Sequence, residues 1–82
     1  MATGIIVFES GKGWWIVEVD GTSEGVFVHH SQVADHRYLH LNDRIEFSIT
    51  PNPKRPGQNE ARNARYIGHV IVRQTSGAGG VR

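Results

Sequence analysis

Apolar residues along this chain fall into five short runs, each close to a two-residue alternation and each bounded by residues that favour turns. Gly4-Ile5-Ile6-Val7-Phe8-Glu9 predicts a first strand over residues 4–9, and Ser10-Gly11-Lys12-Gly13 a turn whose glycines suit positive φ. Residues 14–19 predict a second strand, ended by Asp20-Gly21-Thr22-Ser23, and residues 25–30 a third. Ser31-Gln32-Val33-Ala34 fits one helical turn capped by Ser31. The stretch 35–43 reads as irregular chain anchored by Tyr38, Leu39 and Leu41. Residues 44–50 alternate cleanly, which predicts a fourth strand with Ile45, Phe47 and Ile49 inward. The prolines at 51, 53 and 56 lack ladder donors, so residues 51–59 read as a mobile basic loop. A fifth strand is expected over 61–72, with a candidate interruption at Gly68.

No stretch has a helical period long enough for a real helix, and no internal repeat is present. Five short strands favour a closed five-stranded antiparallel barrel, because closure removes exposed edges, whereas a two-sheet sandwich would want more strands. The 82 residues make one domain, expected over 1–73, followed by a flexible glycine-rich tail over 74–82. The start of the chain lacks the basic, apolar, small-residue order of a secretory signal. No apolar run approaches the ~18 residues of a membrane span. The expectation is a soluble cytoplasmic protein with no membrane partner.

Charge adds an asymmetry that the net value of +1 conceals. Residues 1–43 hold two cations against six carboxylates, a net −4, while residues 44–82 hold seven cations against two carboxylates, a net +5. The second half therefore offers a basic edge suited to phosphates. There is no cysteine, which excludes disulfides, thiolate metal sites and thiol nucleophiles. His29 and His30 are adjacent on a strand, so their side chains should diverge, and His36 and His40 would suit a metal only on a helix. No metal site and no cofactor are expected. Ser31 near the histidines lacks an acidic orienter, a nucleophile elbow and an oxyanion-hole loop, and no phosphate-cradling GxxxxGK[ST] is present. The chain does not read as an enzyme.

What remains distinctive is aromatic placement. Lys12-Gly13-Trp14-Trp15-Ile16-Val17 and Val26-Phe27-Val28-His29-His30 put large flat rings on strands whose alternation turns some of them outward, beside a cation. With Val17 and Val19 inward, alternation sends Trp14 and Ile16 out and Trp15 in, unless a bulge turns both indoles outward. Rings on a sheet face beside positive charge make a platform on which nucleobases stack. The ordinary alternative is that these aromatics are simply core.

These runs resemble the cold-shock domain family. The resemblance covers roughly residues 4–67 and rests on Gly4-Ile5-Ile6-Val7-Phe8, Lys12-Gly13-Trp14-Trp15-Ile16-Val17, Asp20-Gly21, Val26-Phe27-Val28-His29-His30-Ser31, residues 39–47, and Ala61-Arg62-Asn63-Ala64. The Val-Phe-Val-His-x-Ser run is its most specific part. It implies an all-β, five-stranded OB-fold barrel that binds single-stranded DNA or RNA, often as an RNA chaperone or a regulator of transcription. The family's stacking positions map onto Trp14, Ile16, Phe27, His29 and His30, its first-strand aromatic onto Phe8, and its lysine onto Lys12. Lys54, Arg55, Arg62 and Arg65 are the further cations expected to meet phosphates.

Three departures stand out. The first strand is short before Lys12, so that Glu9 is expected to repel phosphate. Trp15 stands where the family has glycine, and Ile16 where it has an aromatic. The loop before the last strand is longer and proline-rich, and that strand, running on to Val72, offers an edge to a second copy for a homodimer. A barrel turned into a protein-interaction or assembly module is thus the competing reading.

Overall fold

The computed structural model describes residues 1–70. Five strands close into one barrel in the order β1-β2-β3-β5-β4. They are β1 (Ala2–Glu9), β2 (Trp14–Val19), β3 (Gly25–His29), β4 (Asp43–Pro51) and β5 (Asn59–His69). All neighbours are antiparallel except β3 and β5, which meet in parallel at Phe27–Glu60 and Val28–Ala61. The expected all-β OB barrel is therefore the observed fold. The tail over 74–82 and the end of the final strand at 71–72 lie outside the described residues.

Alternation fills the barrel as the sequence predicts over most of its length. Ile6, Val17, Val26, Val28, Ile45 and Phe47 are all fully buried. Gly4 sits where β1 is clamped between β2 and β4. A Cβ there would run into the Glu18 carbonyl and come within 2.8 Å of Val17 Cγ2, so the site takes only glycine. On β5, Ala61 and Ala64 both face inward although three positions apart. The ladder with β4 slips between Glu46 and Ser48, and Asn63 takes a left-handed φ of 53°, which turns the next side chain back into the core.

Several local expectations are corrected. Ile49 is 38% exposed, because the alternation of β4 ends at Phe47 where the strand leaves the core. Tyr38 and Leu41 are half-exposed, which leaves Leu39 as the buried anchor of its segment. The turn after β3 is a 3-10 helix, His30–Gln32, capped by His29 rather than Ser31: the His29 ring accepts the Ser31 N–H. A second 3-10 turn, Ala34–His36, follows it. Pro51 closes β4 opposite Asn59, which is tolerable for a residue at a strand end. The loop beyond it is cross-tied, since Asn52 N–H donates to the Gln58 carbonyl at 2.9 Å and Gln58 N–H to the Arg55 carbonyl at 3.0 Å.

Candidate nucleic-acid interface

The hairpin β2–β3 builds the centre of the site by register alone. Trp14 pairs with His29 and Ile16 with Phe27, all at outward positions, while Trp15 pairs with Val28 and faces in. Phe27 stacks on Trp14 with ring centroids 5.5 Å apart and planes 30° apart. His29 continues the row 6.4 Å beyond Phe27 at 29°.

Phe8 joins them through a bulge. Strict alternation on β1 would send Phe8 inward after Ile6 and Glu9 outward. The β1–β2 register instead runs Ile6–Val17 and then Phe8–Ile16, so Val7 is the extra residue that reverses the faces. Phe8 emerges 48% exposed, its ring 5.5 Å from Trp14. The same reversal withdraws Glu9, which pairs with Trp15 and accepts the Leu41 N–H at 3.1 Å. The carboxylate therefore lies off the aromatic row, at the barrel mouth, with the His40 ring 3.6 Å away.

Trp15 itself occupies the barrel interior, 1% exposed, and its Nε1–H donates to the Leu39 carbonyl at 2.9 Å. Tyr38 packs edge-on against it at 5.3 Å. A buried indole needs a partner for its N–H, and Leu39 supplies one. The indole thus pins the segment that connects β3 to β4.

Of the sequence-derived site residues, the fold brings together Phe8, Trp14, Ile16, Phe27 and His29. His30 lies apart from that row: the backbone turns after His29, and the His30 ring packs toward Trp15 and His36. Its Nε2–H donates to the His36 carbonyl at 3.0 Å. On His29, Nδ1 takes the Ser31 N–H at 3.1 Å and lies 2.9 Å from Ser31 Oγ, so the neutral ring carries its proton on Nε2.

Cations divide into engaged and unengaged sets. Arg62 lies 2.8 Å from Glu60, Arg65 lies 2.7 Å from Glu46, and Arg44 is held by Asp20. Arg62, expected to meet phosphate, stands here beside Glu60 as one half of an exposed ion pair. Lys12, Lys54 and Arg55 have no carboxylate partner among the described residues. Lys12 projects from the turn beside Trp14, where Ser10 Oγ accepts the N–H groups of Lys12 and Trp14 and the two flanking glycines hold positive φ. Arg55 stands on the β4–β5 loop, which rises beside the platform and encloses with Trp14, Ile16 and Phe27 an open groove of ≈ 760 Å³. Glu24, Gln58 and Asn59 also line that groove, and the sequence did not reveal them. Asn59 Nδ2 donates to Glu24 Oε2 at 3.0 Å across 35 positions, a pairing with no local signal.

Away from the site, Asp20 is held below the usual carboxylate range, first by its hydrogen bond from Arg44 and then by that from Thr3. Both bonds tie the β2–β3 turn to neighbouring strands. Among the described residues no cluster of side chains suits a metal ion, and no helix is long and apolar enough to cross a membrane.

Comparison with known proteins agrees with this architecture. No model of a protein family matches the chain. Among solved structures, drosophila Unr CSD456 superposes with a TM-score of 0.67 over 88% of this chain at 19% identity, and the match spans 29% of that chain. It shows the fold. Among curated proteins, the Cold shock-like protein CspA of Stigmatella aurantiaca (strain DW4/3-1) is 37% identical over 70 residues, covering 82% of this chain and 98% of that protein. With a full-length relative at that identity and the same barrel, the chain belongs to the cold-shock protein family.

Proposed function

We propose that this protein binds single-stranded DNA or RNA with little overall sequence preference, stacking bases on an aromatic platform and meeting phosphates with flanking cations. The observation that carries this reading is the unbroken row of Phe8, Trp14, Phe27 and His29 on the outer face, with neighbouring centroids 5.5–6.4 Å apart. Rings so close to one another leave no room for a base between them, so bases lie across their exposed faces. Each stacked base contributes about 1–3 kcal/mol and, since every base has a π-face, with little regard to sequence. Ile16 widens the platform, and Lys12, Lys54 and Arg55, without a carboxylate partner among the described residues, supply the positive charge. His29 adds an Nε2–H donor at one end of the row.

Family membership supports nucleic acid as the partner, and the open form of the groove beside the platform supports loose recognition. A surface that traps unpaired strands in this way melts weak secondary structure, the action of an RNA chaperone or of a regulator of transcription or translation. No catalytic step is part of this reading.

The test is intrinsic tryptophan fluorescence titrated with a short thymidine or uridine strand at two salt concentrations. Strong quenching whose midpoint moves to higher strand concentration with salt is expected, because phosphate contacts release counterions. An oligomeric protein that leaves both strands unbound would contradict the reading and identify the barrel as an assembly module pairing through β5.

A further inference from the structure

The groove beside the platform carries two opposite charges that do not neutralise each other. Glu24 enters it from the turn before β3 and Arg55 from the β4–β5 loop, and no ion pair joins them among the described residues. The Glu24 carboxylate is oriented by Asn59, which donates to Oε2 at 3.0 Å. Each carboxylate oxygen has two acceptor sites, so both remain open to a ligand. Trp14 and Phe27 form the aromatic wall of the same groove. A flat ligand is thus offered a stacking surface, a fixed pair of acceptors and a forked donor.

We infer that this groove is a guanine-selective subsite within an otherwise sequence-tolerant single-strand surface, with Glu24 and Arg55 as its specificity-determining residues. The inference rests on the single-strand reading above. Guanine alone among the bases presents two adjacent donors, N1–H and the 2-amino group, which match the two oxygens of a carboxylate. It also presents O6 and N7 as paired acceptors, the bidentate partner of an arginine fork. Thymine and uracil flank their single N–H with two carbonyl oxygens, which a carboxylate repels. Cytosine and adenine each offer an amino donor beside a bare ring nitrogen, so only one oxygen of Glu24 is satisfied.

The experiment compares a thymidine hexamer with the same hexamer carrying one central guanosine, titrated against the whole chain. The guanosine strand binds roughly tenfold more tightly, the discrimination of one good bidentate contact. Inosine, which lacks the 2-amino group, and 7-deazaguanosine, which lacks N7, each lose part of that gain. In Glu24→Gln, which retains an acceptor for Asn59, the guanosine-to-thymidine ratio falls severalfold, leaving the share that Arg55 reads at O6 and N7, and circular dichroism confirms the fold. Equal or tighter binding of the thymidine hexamer, or an unchanged ratio in Glu24→Gln, overturns the guanine subsite and leaves the single-strand reading standing. If neither hexamer binds, both fall.

Discussion

Trp14 and Trp15 are adjacent in the chain, and the strand sends them to opposite duties. Trp14 lies between Phe8 and Phe27 on the outer face, half-buried by rings that are themselves partly open to solvent. Trp15 is enclosed, hydrogen-bonded to Leu39 and packed under Tyr38. The difference teaches that an aromatic pair on a strand is a division of labour. One indole fills the barrel mouth, and its neighbour stands on the open face where the proposed ligand would lie. The two regions also differ in charge. Glu9 and His40 lie together at the Trp15 end, while Lys12 beside Trp14 has no carboxylate partner among the described residues.

The largest effect separating the regions is on stability. Trp15→Ala empties the top of the core and is expected to cost about 3–5 kcal/mol, a large part of a small domain's total. Trp15→Phe keeps a ring but strands the Leu39 carbonyl, at a cost of about 1–3 kcal/mol. Chemical denaturation measures both. Trp14→Ala reverses the pattern: the denaturation midpoint moves far less, while oligonucleotide affinity drops by about 1–3 kcal/mol for the lost stack.

A smaller contrast concerns charge at the two ends. Lys12→Ala is expected to weaken binding and to lower the slope of log affinity against log salt by about 1. Glu9→Gln should leave that slope unchanged, because the bulge has taken the carboxylate off the ligand face. A matching gain of affinity in Glu9→Gln would show that Glu9 does face the strand.

The smallest effect is a pH response remote from both tryptophans. Asp20 has its folded-state pKa lowered from 3.8 by Arg44 and Thr3. Its contribution is therefore present above the unfolded-state value and is lost as pH falls through the folded-state one. Asp20→Asn should flatten the acid limb of a stability–pH curve below about pH 4 and leave binding at neutral pH unaltered. An acid limb of the same slope in the variant would assign the loss to other carboxylates.

Much of the barrel was legible because burial enforces it locally. The alternation Arg44-Ile45-Glu46-Phe47 and the Val26-Phe27-Val28 run have one register that puts β-branched and aromatic residues inside, and both hold. Trp15 followed from the parity of Val17. The outward face of Phe8 followed from the family resemblance alone and Glu9 was misplaced, because Val7 carries no mark of a bulge: the extra residue exists only in the register between β1 and β2. His30 left the platform because its neighbour His29 caps the following 3-10 turn, an event of backbone direction that alternation cannot foretell. Arg62 reads as a free cation until Glu60, two positions before it on the same face, is seen to hold it. Glu24 and Asn59 meet only when β5 closes the barrel beside β3.

The most direct measurement assigns fluorescence quenching to one indole. Trp14→Phe and Trp15→Phe each leave a single tryptophan, and both are titrated with the same thymidine strand. Quenching should persist in Trp15→Phe, where Trp14 reports the bound bases, and should largely vanish in Trp14→Phe although the strand still binds. Equal quenching in both, or quenching carried by Trp15, would contradict the division between an outward indole for the ligand and an inward one for the barrel.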